Sequence, residues 1–178
     1  KVNDNYNDDD DDKYIRKPEN STNKEKEETQ TREDIKKACQ VLREGGVILY
    51  PTDTIWGLGC DASNSDAVRR IFSIKQREDS KSMLMLLDSD AKLNSYVPDI
   101  PDIAYDLIDM AERPLTIVYD NVRYVAPELK AEDGSVGIRI TKESFSKELC
   151  ARFVDLILKD LEILEHLRIL PEPLAPKS

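Results

Sequence analysis

Histidine is nearly absent from this chain: His166 is the only one, and it stands late in the sequence among charged residues, away from any serine or cysteine motif. It reads as a surface residue, and a Ser/His/Asp hydrolase, which needs an imidazole to carry the proton, is excluded. Cysteine is scarce as well. Cys39, Cys60 and Cys150 are odd in number, far apart and without a Cys-x-x-Cys pair, so neither a disulfide framework nor a zinc centre is expected, and a reducing compartment fits best. Only six glycines occur, and Gly57-x-Gly59 is not completed to G-x-G-x-x-G or to a P-loop, which removes the Rossmann and P-loop readings. No apolar run approaches the roughly 18 residues needed to cross a bilayer, and the N-terminus lacks the apolar centre of a signal peptide. No membrane association and a cytoplasmic location are the resulting expectations.

Positive charge is also in deficit. Lys and Arg total 26 against 36 Asp and Glu, a formal charge of -10, which argues against nonspecific attraction to nucleic acid or anionic lipid as the main activity. Any phosphate site must be local. The 178 residues suffice for one domain with an appendage. Residues 1–31 hold only Val2, Tyr6, Tyr14 and Ile15 from the apolar set and an unbroken acidic run from Asp8 to Asp12. They read as a disordered acidic tail, because so little apolar surface cannot offset the entropy of ordering.

Folding is expected to begin at Thr31–Asp34, a variant of the capping pattern, with Ile35, Ala38, Cys39 and Leu42 at helical spacing and Gly45-Gly46 as the stop. Val47 to Tyr50 predicts a buried strand and Thr52 to Asp61 a loop. Asn64 or Ser65 caps a helix with Ala67, Val68, Ile71, Phe72 and Ile74 on one face. Strands are predicted at 83–87, 114–119 and 135–140 and short helices at 89–96 and 101–111. From Ser144 the spacing of Leu149, Phe153, Ile157, Leu161 and Leu164 predicts helix, ended by Pro171, Pro173 and Pro176. This alternation is that of an α/β domain with a mixed sheet.

Two clusters could carry chemistry. Lys75, Arg77, Ser80 and Lys81 put three cations and a hydroxyl within seven residues, a set suited to phosphate but also to an ordinary charged helix end. Lys75 and Arg77 share a side only on extended backbone, so joint action requires the helix to have ended. Thr52, Asp53 and Thr54 follow a buried strand, where α/β sheets place ligands; a turn held by its own side chains is the alternative.

The segments Gly45-Gly-Val-Ile-Leu-Tyr-Pro-Thr-Asp-Thr-Ile-Trp-Gly-Leu-Gly-Cys-Asp-Ala, Ile74-Lys-Gln-Arg-Glu-Asp-Ser-Lys-Ser-Met, Arg113-Pro-Leu-Thr and Gly134-Ser-Val-Gly-Ile-Arg-Ile together resemble the YrdC-like threonylcarbamoyl-AMP synthases. The resemblance spans residues 32–153 and implies the YrdC-like α/β fold, an open twisted mixed sheet with flanking helices around a concave cavity. It implies synthesis of L-threonylcarbamoyladenylate from L-threonine, bicarbonate and ATP, with release of pyrophosphate. The product would feed tRNA-modification proteins that convert adenosine 37 of tRNA to its N6-threonylcarbamoyl form.

By the same resemblance Lys75 and Arg77 are the catalytic pair and, with Ser80, Lys81 and Arg139, bind the nucleotide. Thr52, Thr54 and Thr116 hold threonine, and Mg2+ assists; no residue is assigned as a metal ligand. Family members continue past Arg152-Phe153 with a strand and a segment carrying Ser-Ala-Asn, whereas residues 154–178 read here as a C-terminal helix and tail. That departure keeps two alternatives open: a nucleotide-binding or partner-docking module of the same fold without turnover, or an RNA-binding protein.

Overall fold

The computed structural model describes the backbone of residues 19–75, 83–153 and 156–160, and side chains within 22–74 and 83–153. Among the described residues six strands form one sheet: β1 (Ile48–Tyr50), β2 (Gly57–Asp61), β3 (Met83–Leu87), β4 (Thr116–Tyr119), β5 (Val136–Ile140) and β6 (Leu156–Asp160). Their spatial order is β1-β2-β6-β3-β5-β4. Only β3 and β5 pair in parallel; the other neighbours are antiparallel. The helices are α1 (Glu19–Arg43), α2 (Ser65–Lys75), α3 (Leu93–Tyr96), α4 (Asp102–Met110) and α5 (Ser144–Arg152).

Every residue of β3 is buried, as expected of a central strand covered on both faces. Met83, Met85 and Leu87 enter a core with α2, α3 and α4, which includes Val68, Ile71, Leu93 and Ala104. Leu84 and Leu86 point the other way, into a smaller core with Ile35, Cys39 and Leu42 of α1 and Leu149 and Cys150 of α5. The period-2 alternation of strand side chains divides the two sets. The helix α1 ends in a Schellman motif: Gly45 N donates to Leu42 O at 3.0 Å and Gly46 N to Val41 O at 2.8 Å, with Gly45 at φ +76°. Asn64 caps α2, its Oδ1 accepting from Ala67 N at 3.1 Å.

Three expectations are corrected. The helix α1 starts at Glu19 rather than at Thr31–Asp34; Thr31 lies inside it, its hydroxyl bonded to Glu27 O. The tail expected over residues 1–31 therefore gives way to helix from Glu19, and residues 1–18 lie outside the described residues. The loop expected over Thr52–Asp61 contains the strand β2, paired on both sides. The helix expected beyond Val154 is instead, at 156–160, the strand β6, which fills the gap between β2 and β3. Antiparallel neighbours on both sides complete the β6 ladder, which outweighs the leucines' helical spacing. The tail from 161 onward, with its prolines and His166, lies outside the described residues. None of the helices among the described residues is long and apolar enough to cross a membrane.

Candidate functional site

Arg139 occupies the fourth position of β5, opposite Thr116 of β4 and Leu86 of β3. Its neighbours Val136 and Ile138 fill the larger core, so alternation turns Arg139 to the face where Leu84 and Leu86 meet α1 and α5. On the outer strip of that face lie Thr116, Gly137 and Val118, the last 65% exposed. Arg139 itself is only 8% exposed. Its Nε donates to Thr116 Oγ1 at 3.0 Å, while Nη1 is buried without a hydrogen-bond partner. No ion pair among the described residues includes it. A buried guanidinium left with an open donor is costly unless an anion completes it.

The loop between β1 and β2 approaches the end of β5. Thr52 is buried and its hydroxyl donates to Ile55 O, with Thr54 Oγ1 at 3.3 Å. Thr54 N also donates to Thr52 Oγ1 at 3.3 Å. These bonds make a local side-chain turn, and Thr54 stands exposed at its tip. Asp53 reaches across the sequence: Oδ1 accepts from Lys142 N at 2.7 Å and Glu143 N at 2.9 Å, and Oδ2 from Thr141 Oγ1 at 2.7 Å. Ser146 Oγ donates to Pro51 O at 2.6 Å. Glu143 caps α5, accepting from Phe145 N at 3.0 Å and Ser146 N at 2.6 Å. Beside Asp53 a cavity of about 190 Å³ is lined by Ile108, Arg113, Pro114, Leu115, Ile140 and Lys142, among others.

The structure thus joins Thr116 to Arg139 directly and ties the Thr52–Thr54 loop to the residues just after Arg139. Lys75 is the last residue of α2 that the structure describes. The Lys75 side chain and Arg77, Ser80 and Lys81 lie outside the described residues. Asp53 stood in the expected Thr52–Thr54 cluster without a role of its own, and Thr141 and Ser146 were not expected from the sequence. Asp53 carried a signal, an acidic residue between two threonines after a buried strand, but its partners lie 88 to 90 residues away.

The described residues do not fit a resident metal: no three His, Cys, Asp or Glu side chains converge among them, and Asp53 is already taken by three donors. The cysteines stand apart from the site. All three are free and buried; burial, then the Asp61 carboxylate, pushes the Cys60 thiol up to about 12. Burial likewise raises Cys39 and Cys150.

The family model Sua5/YciO/YrdC, described as "Telomere recombination", matches residues 40–159. The chain belongs to this family. The threonylcarbamoyl-AMP synthase of Pseudomonas aeruginosa is 35% identical over 114 residues, 64% of this chain and 62% of that protein. The synthase of Pseudoalteromonas translucida is 34% identical over 122 residues, covering 67% of this chain and 65% of its own. The chain therefore spans less than two thirds of the length of these relatives. The crystal structure of P. abyssi Sua5 complexed with L-threonine superposes with a TM-score of 0.64 at 27% identity, over 70% of this chain and 37% of that one. E. coli YciO superposes at 0.63 and 25% identity, over 72% and 62%. The family match ends within β6, so the fold expected from the resemblance, an open mixed sheet with flanking helices, is the one observed.

Proposed function

We propose that this chain carries out ATP-dependent synthesis of L-threonylcarbamoyladenylate, the activity named in its relatives. The observation that carries this reading is Arg139, a buried guanidinium with an unpartnered Nη1 next to Thr116 on the partly open face of the sheet. The reaction needs such a group. The threonine amine condenses with bicarbonate, losing water, to give a carbamate; a carbamate oxygen attacks the α-phosphorus of ATP and pyrophosphate leaves.

Three anionic groups must be held together, and positioned cations lower that cost before the reaction starts. In this reading the positive charge of Arg139 offsets that of a nucleotide phosphate, and Thr116 fixes the guanidinium by accepting from Nε. Thr52, Thr54 and Thr116 hold threonine, and the exposed tip at Thr54 suits contact with it. Lys75 and Arg77 grip the phosphates around the reacting carbamate, with Ser80 and Lys81 beside them. Mg2+ would travel with ATP, and no step depends on a protein ligand to it. The product would pass to tRNA-modification proteins for adenosine 37.

The test is pyrophosphate release by the intact chain from ATP with L-threonine and bicarbonate. Turnover should require all three and fall sharply in Lys75→Ala and Arg77→Ala. ATP binding without threonine-dependent turnover would favour the binding-module alternative instead.

A further inference from the structure

A long-range polar link beside the site is made by a residue with no assigned role, Asp53. We infer that Asp53 is a positioning residue that holds the Thr52–Thr54 loop at a fixed offset from Arg139, and so sets threonine affinity without touching the reacting atoms. The inference rests on the synthase reading above.

Asp53 bonds to Thr141, Lys142 and Glu143, and Arg139 of β5 lies two residues before Thr141, which directly follows the end of that strand. That junction is itself fixed: Thr141 is 1% exposed and its N–H donates to Leu87 O at 2.9 Å, tying it to the end of β3. Ser146, fully buried, adds a second tie to the loop through Pro51 O. The loop is therefore hung from α5 at Pro51 and from the segment after β5 at Asp53, on either side of Thr52. Charge-assisted bonds from two backbone N–H groups and a hydroxyl are among the stronger ones available. They occupy both Asp53 oxygens, which leaves the carboxylate poorly placed to act as a base.

Such a role differs from a general structural one in what it moves. Trp56, the only tryptophan of the chain, is 52% exposed and three residues beyond Asp53, so its fluorescence reports the loop alone. Asp53→Ala removes all three bonds. Asp53→Asn keeps one acceptor oxygen and can donate to the Thr141 hydroxyl, and is the conservative control. Ser146→Ala cuts only the second tie and serves if Asp53→Ala fails to fold.

The experiment measures acrylamide quenching of Trp56, and the KM for L-threonine and for ATP in pyrophosphate release, on the intact wild-type chain and the three variants. Asp53→Ala should expose Trp56 to quencher and raise the threonine KM about 10-fold, the scale of one or two lost hydrogen bonds, with the ATP KM unchanged. Asp53→Asn should lie close to wild type. Unchanged quenching in folded Asp53→Ala, or equal rises in both KM values, overturns the inference. Absence of turnover in the wild type would remove the synthase reading, and with it the link to threonine affinity, while the quenching still decides whether Asp53 fixes the loop.

Discussion

Arg139 donates through Nε to Thr116 Oγ1 at 3.0 Å, yet its buried Nη1 has no partner. The bond fixes the plane of the guanidinium and leaves the Nη1 donors open. Since a guanidinium cannot discard its charge at any ordinary pH, burial to 8% exposure is tolerated best where an anion completes the set.

Gly137 keeps the strip beside Arg139 open. A Cβ there would stand 3.1 Å from Thr116 Cγ2 and 3.7 Å from Leu84 Cβ. Gly137→Ala should therefore displace Thr116 and weaken ATP binding about 3- to 10-fold, the worth of a hydrogen bond of about 1 kcal/mol. Titration calorimetry checks it. Unchanged affinity would mean that Thr116 does not orient the arginine.

The Schellman turn sets how α1 meets β1. A Cβ at Gly46 would lie 2.5 Å from Val41 Cγ1 and 2.9 Å from Val41 O, and the backbone atom cannot swing away. Gly46→Ala should cost more than the roughly 1 kcal/mol expected for Gly45→Ala at its positive φ. Urea unfolding of both variants measures the order.

Alkaline pH should destabilise the fold partly through its thiols. The folded-state value of Cys60 is raised from 9.0 to about 12, so the folded form holds its proton more tightly than the unfolded chain. That contribution is complete below about pH 9 and is lost as pH rises toward 12. Cys39 and Cys150 act in the same direction. The urea midpoint should fall between pH 8.5 and about 10.5, and Cys60→Ala should fall less steeply. A midpoint that rises would contradict the burial of these thiols.

The sequence made some elements plain and hid others for physical reasons. Strands β1, β3, β4 and β5 are short apolar, β-prone runs, and each was expected within one or two residues. Gly57-Leu-Gly-Cys-Asp has little β-propensity of its own, and β2 exists because β1 and β6 flank it on either side. Leu156-Ile157-Leu158 is too short for periodicity to separate strand from helix, and the gap between β2 and β3 decided it. Residues 22–34 of α1 are exposed and largely polar or charged, so this stretch lacks the apolar face by which a helix announces itself; pairs such as Gln30–Asp34 help it form.

Thr52, Thr54, Thr116 and Arg139 could be named from the sequence because ordered motifs carry them, and the contact of Thr116 with Arg139 is the part that the structure adds. Asp53 could be placed in the same cluster, but its contacts to residues 141–143 are encoded in no local pattern.

Calorimetric titration of ATP into the intact chain, its Arg139→Lys variant and its Arg139→Gln variant tests the central claim most directly. The account predicts binding by the wild type, a loss of about 10-fold or more in Arg139→Lys, where charge remains but the planar fork is gone, and a larger loss in Arg139→Gln, with melting temperatures showing both variants folded. Equal ATP affinity in all three proteins would contradict it.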